Sequence, residues 1–189
     1  MSNIKRLLVT LILILSFQSL TKADDIRDFQ IEGMSLGDSL LDFYTKNEIK
    51  RNIKLANYKS DKYQLFEIYK SDYPLKQYDA LMIHFKKSDK NYKIFSVAGV
   101  LEFSDNIKGC LSKQKEIDLE LFKVFDNLEK NEYGFNKSQG DPTGKSKFNE
   151  IEYLFSSNDQ INIQCYDWSK KSGYMDHLRI GLHHGVFSD

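Results

Sequence analysis

The sequence predicts an α+β fold: an antiparallel sheet of about six strands with two helices on one face. Three observations predict it. Several stretches of seven to ten residues alternate apolar and polar side chains and are joined by short polar turns. Two segments instead place apolar residues at helical spacing, and each precedes a run of strands. The chain also holds only two cysteines, Cys110 and Cys165, one beside the second helical segment and one inside a strand.

Taken in order, residues 1–23 read as a signal peptide. Lys5 and Arg6 form a basic n-region, Leu7 to Phe17 an apolar h-region, and Thr21-Lys22-Ala23 places small residues around a cleavage site. A spanning helix needs about 20 apolar residues, and Gln18, Ser19 and Thr21 interrupt this core well before that. Residues 24–189 are then a single α+β domain, with possible halves at 24–103 and 104–189. A strand is expected over Ile26–Glu32. Ser35-Leu36-Gly37-Asp38 matches a capping box, and Leu36, Leu40, Phe43 and Tyr44 share a helical face, so a first helix is expected from Ser35 to about Arg51. Asn52 to Lys62 reads as loop.

Strands are expected at Tyr63–Lys70, Tyr78–Lys87 and Tyr92–Phe103. Asp72-Tyr73-Pro74 breaks the first two apart, and Ser88-Asp89-Lys90-Asn91 forms a hairpin turn. In the middle strand Leu81, Ile83 and Phe85 point one way and Ala80, Met82 and His84 the other, as in a sheet covered on one side. Next comes Ile107 to Lys130, where Ile117, Leu121, Val124, Phe125 and Leu128 form the best apolar stripe in the chain, with Lys115, Glu116, Asp118, Lys123 and Asp126 off it. Asn131 to Ser146, rich in glycine, reads as loop. Strands follow at Lys147–Phe155, Gln160–Trp168 and Tyr174–Leu182. Ile161, Ile163 and Cys165 share one face; Leu178, Ile180 and Leu182 face inward, and His177, Arg179 and His183 outward. Ile31-Glu32-Gly33 and Ile107-Lys108-Gly109 open the two halves alike, the pattern of a possibly duplicated helix-plus-three-strand unit.

Export makes a Cys110–Cys165 disulfide the expected state of the two thiols. It also fixes the charge. Of 27 basic residues, Lys5, Arg6 and Lys22 leave with the signal, so 24 face 27 acidic ones. Such a chain has no basic footprint for nucleic acid, and no stable membrane insertion is expected after cleavage.

Motifs for chemistry are few. Gly140-Asp141-Pro142-Thr143-Gly144-Lys145-Ser146 has three residues between its glycines where a phosphate-binding loop needs four, and it leads into a strand, not a helix. His177 and His183 are six apart on one strand, about 20 Å, too far to share a metal ion. Glu150 and Glu152 share a strand face but nothing indicates desolvation of either. No serine sits in a nucleophile elbow. No catalytic residue, metal or cofactor is therefore assigned, and the protein reads as a non-enzyme. The outer face of the last hairpin carries Asn162, Gln164, Tyr166, Trp168, His177 and Arg179. Tyr, Trp and Arg dominate protein–protein hot spots because each joins large area to a polar handle, so Tyr166, Trp168, His177 and Arg179 are the expected binding residues.

Phe29-Gln30-Ile31-Glu32-Gly33-Met34-Ser35-Leu36-Gly37-Asp38-Ser39 resembles the strand, glycine turn and capped helix that open small exported bacterial proteins of uncharacterised function. It is similar, more distantly, to envelope modules of the outer-membrane-assembly-lipoprotein and β-lactamase-inhibitor-protein type, where helices cover an antiparallel sheet. The resemblance implies protein binding and carries over no catalytic residue; the chain lacks a cysteine close after the h-region for lipid attachment. The expected function is that of a periplasmic or secreted interaction module whose partner is another envelope or periplasmic protein. A small-ligand-binding protein with its pocket between helices and sheet is the alternative, followed by a hydrolase using Glu150, Glu152 or a histidine.

Overall fold

Alternating apolar side chains meet in register across one antiparallel sheet of seven strands. The structure, a computed structural model, describes residues 25–56, 59–141 and 143–187; the signal peptide expected over residues 1–23 lies outside them. The strands are β1 (Tyr63–Tyr69), β2 (Ala80–Lys86), β3 (Ile94–Ser104), β4 (Glu129–Lys137), β5 (Lys147–Leu154), β6 (Gln160–Asp167) and β7 (Asp176–His183), in the order β1-β2-β3-β7-β6-β5-β4. Each half of the chain thus builds one side of the sheet, and the halves join where β3 pairs with β7. One row runs Phe66, Ile83, Val97, Leu182, Ile161, Tyr153, each paired with the next, and all six are buried. That face is covered by α1 (Lys46–Ala56), which packs on β1, and α2 (Ile107–Val124), which packs on β6 and β7.

The seam around Ile107 behaves as its stripe demands. Asn106 caps α2 by accepting from the Gly109 N–H at 3.0 Å, and Cys110, Gln114, Ile117 and Leu121 are buried against the sheet. Cys110 and Cys165 are joined by a disulfide with Cα atoms 5.9 Å apart. Beyond the helix, Phe125 closes the core with its ring 4.7 Å from Phe29, 5.5 Å from Phe155 and 6.1 Å from Tyr153.

Several expectations fail. Ile26–Glu32 is not a strand: Ile26–Asp28 forms one 3-10 turn and Ile31 pairs only locally with Met34. No helix starts at Ser35, although its N–H does donate to the Asp38 carboxylate at 2.8 Å. The Ser35 hydroxyl instead donates to the Phe29 carbonyl, and Gly37 turns into the left-handed region at φ 89° with its N–H on the Ile94 carbonyl. The helix begins eleven residues on, where Thr45 and Glu48 make a reciprocal capping box at 2.8 and 3.3 Å. Asn131–Ser146 is not all loop, because β4 pairs with β5 along its full length and adds the seventh strand. That strand also breaks the strict helix-plus-three-strand repeat. The helix over the seam ends at Val124, short of Lys130.

Candidate functional site

On the face opposite the helices, the strand order brings the predicted outward residues of β6 and β7 together. Tyr166 stands opposite His177 across the β6–β7 pair, their rings stacked at 4.8 Å. Trp168 stacks on Tyr166 at 5.6 Å, and the Arg179 guanidinium lies 5.1 Å from the Tyr166 ring centre. All four expected binding residues therefore form one cluster. Tyr166 is buried inside it, and burial raises its phenol pKa. Burial also lowers His177, to about 4, so the ring is neutral at neutral pH. Its Nδ1 sits 3.3 Å from the Trp168 indole N–H and 3.0 Å from the Met175 carbonyl oxygen. Unprotonated, Nδ1 accepts from Trp168; protonated, it donates to Met175.

A polar relay extends the cluster across the sheet. Arg179 donates from Nε and Nη2 to the Gln164 amide oxygen, at 2.9 and 2.5 Å, and Tyr166 donates to that same oxygen. The Gln164 and Asn162 amides both donate to Glu150 at 2.6 Å. Glu152, nearly buried, accepts from Tyr133 and Asn131. The two carboxylates weighed for acid–base work are thus pinned by donors within the sheet. The relay holds the guanidinium at a fixed place over Tyr166.

Two contributors were missed. Phe148 stacks on Tyr166 from β5 at 5.3 Å, and Tyr174 lies 4.6 Å from Trp168. Phe148 shares strand parity with Glu150, which was a usable signal, but its meeting with Tyr166 needs the register of β5 on β6. Tyr174 was placed within a strand; it belongs to the β6–β7 turn and is 62% exposed, beside Met175 at 49%.

The glycine-rich stretch after β4 serves this site as a support. The Asp141 carboxylate accepts from the Ser146 and Thr143 hydroxyls and N–H groups and from the Ser169 hydroxyl. Ser146 above all holds that carboxyl well below the usual range. The bonds tie the β4–β5 loop to the residue after Trp168, and Gly140 packs 3.5 Å from the indole as judged from where a Cβ would stand. The buried Asp176 accepts from the Trp168 N–H at 2.9 Å from the other side.

At the far end of the face, strand order also joins His84, Ser96 and His183, which lie abreast on β2, β3 and β7. Ser96 Oγ and His183 Nδ1 are 2.9 Å apart. Among the described residues no group of three or more His, Cys, Asp or Glu side chains is placed to hold a metal ion, and no helix is long and apolar enough to cross a membrane. No protein family, curated protein or solved structure matches this chain, so the functional reading rests on its own geometry.

Proposed function

We propose that the protein is an exported, non-enzymatic binding module that captures a partner protein of the bacterial envelope or periplasm on its open sheet face. The observation that carries this reading is the grouping of exposed Tyr174 and Met175 with Trp168, next to a guanidinium already fixed on Tyr166. Hot spots combine such anchors, and a side chain that is held in place before contact loses less rotamer freedom on binding. Tyr166 and His177 act beneath as the rigid base, and Arg179 offers its remaining N–H groups to a partner. The disulfide supports residence in an oxidising compartment.

Tyr166 is buried and Arg179 is bonded within the sheet, so Trp168→Ala and Tyr174→Ala are the informative variants. A photo-cross-linker at position 174 in cells should capture a protein. Each variant should then bind that purified partner about tenfold or more weaker, while Tyr133→Ala on β4 binds as wild type. Equal affinity for wild type, Trp168→Ala and Tyr174→Ala would sink the proposal.

A second reading has one observation behind it. A groove of about 520 Å³ is lined by Asn127, Leu128, Glu129, Leu154, Phe155, Ser156 and Asn158, within the size range of small-molecule sites. It opens beside the α2–β4 connection, not between helices and sheet. Thermal shift against a metabolite panel, lost in Ser156→Trp, would move the function there.

A further inference from the structure

We propose that His184–Phe187 is a strap that closes over the His84–Ser96–His183 end of the open face and is released by acid. It lies at the opposite end of β7 from the Trp168 cluster and is independent of the binding reading above.

The chain leaves β7 at His183 and folds back across the outer face. The His184 N–H donates to the Phe95 carbonyl at 2.9 Å, and the Gly185 N–H donates to the Asp159 carboxylate at 2.7 Å. Tyr63 on β1 donates its hydroxyl to the Val186 carbonyl at 3.1 Å. Phe187 then lands on three rings at once: Tyr63 at 4.9 Å, His84 at 4.9 Å and His183 at 5.7 Å. The His183 ring lies flat over Gly181, where a Cβ would come within 2.4 Å of Nε2. Two imidazoles are thus enclosed between the sheet and an aromatic lid, with Ser96 almost wholly buried between their strands.

Neutral rings suit this enclosure and charged ones do not. Burial first, then the Arg179 charge, lowers both histidines to about 3, with His84 a third cause at His183. The neighbouring groups are Tyr63 on β1, Lys86 on β2, whose ammonium sits over Phe95, Arg179 on β7, and the pair of His184 with Asp159 3.7 Å apart. The cations oppose protonation beneath the lid. Among the described residues the acidic neighbour is Asp159, and it faces the root of the strap at His184. Release therefore begins at Phe187 and leaves the root attached.

Lifting Phe187 lets water reach both rings and returns them toward the ordinary histidine range. Each pH unit below about 6.5 then favours the open form roughly tenfold per histidine, about a hundredfold for the two. The opened strap bares Tyr63, Leu65, His84 and His183 and widens the accessible sheet.

The test is amide exchange of Gly185, Val186 and Phe187 in the full chain, corrected for intrinsic pH dependence and read beside β6 amides. Strap protection should fall by about a hundredfold per pH unit between roughly pH 6 and 4 while β6 stays protected. The double variant His84→Gln, His183→Gln should keep its strap closed over that range. Gly185→Ala, whose Cβ would stand 2.7 Å from the Asn158 backbone, should dislodge the strap at neutral pH and raise the NMR titrations of His84 and His183 by about one unit or more. Constant strap protection would overturn the proposal, as would joint loss of strap and β6 protection, or acid loss in the double variant equal to wild type. Should that double variant not fold, unchanged histidine titrations in Gly185→Ala decide against it.

Discussion

Asp118 carries the lesson at the scale of the residue. Helical spacing puts it on the polar side of α2, yet it is 8% exposed. Tyr153, wholly buried on β5, donates its hydroxyl to the Asp118 carboxylate at 2.6 Å, and Lys130 pairs with the other oxygen at 2.8 Å. Burial, then this hydrogen bond, drives the Tyr153 phenol far above its ordinary pKa. A carboxylate at the border of an apolar stripe looks solvated in sequence; only the tyrosine and lysine brought from β5 and β4 make its burial tolerable. Tyr153→Phe should therefore cost about 2 kcal/mol, since a hydrogen bond to a charged acceptor is lost inside the fold. Urea unfolding at pH 7 measures it, and a cost near zero would mean that water replaces the hydroxyl. The binding residues were more legible. Tyr166, Arg179 and His177 follow strand parity, a local property, whereas Phe148 joins them through pairing between strands.

Elements were legible where one face is buried and obscure where it is not. Strand β4, Glu-Lys-Asn-Glu-Tyr-Gly-Phe-Asn-Lys, lies at the sheet edge with nearly every side chain at least partly exposed, so it has no alternation to read. Its register shifts between Glu132 and Gly134, and Gly134 supplies the positive φ there; charge and bulge both protect an edge from pairing with other chains. Helix α1 failed for another reason. Two capping signals compete, Ser35-x-x-Asp38 and Thr45-x-x-Glu48, and the first forms half its bonds without a helix behind it. Leu36 and Leu40 are buried as single anchors of an irregular strap, not as one helical stripe. Tyr44 and Ile49 reach the core on either side of the true cap, as in a hydrophobic staple. Thr45→Ala should thus destabilise the protein by about 1 kcal/mol, read by chemical unfolding, while Asp38→Ala leaves α1 helicity by circular dichroism unchanged.

For the whole molecule, the disulfide and the histidines set the expected responses. The bridge closes a loop of 55 residues from the mouth of α2 to the middle of β6, worth about 4 kcal/mol on the chain-entropy model. Cys110→Ser with Cys165→Ser should lower stability by about that amount in urea and free the N-terminal turn of α2 in hydrogen exchange. Acid acts through His177, held at about 4 by burial. The unfolded chain binds a proton at about 6.5 that the folded chain refuses, so stability falls as pH drops from about 6.5 toward 4. While the strap is closed, burial keeps His84 and His183 from binding protons in the same way, so the three histidines share the global slope. His177→Gln should make urea-derived stability fall less steeply between about pH 6.5 and 4, by about one proton's share of the slope; an unaltered slope would place the acid response elsewhere.

The sequence by itself determined the strand faces, the apolar stripe of α2, the cysteine pair and the aromatic and arginine content of the outer face. All of these follow from a side-chain period of two or 3.6 residues, or from the chemistry of two thiols in one chain. Tertiary structure alone decided which strands are neighbours. That order carries Phe148 to Tyr166, Asp141 to Ser169, and His84 beside Ser96 and His183 beneath Phe187. Pairing between distant strands depends on how a whole set of apolar rows is buried together, and no local period encodes it.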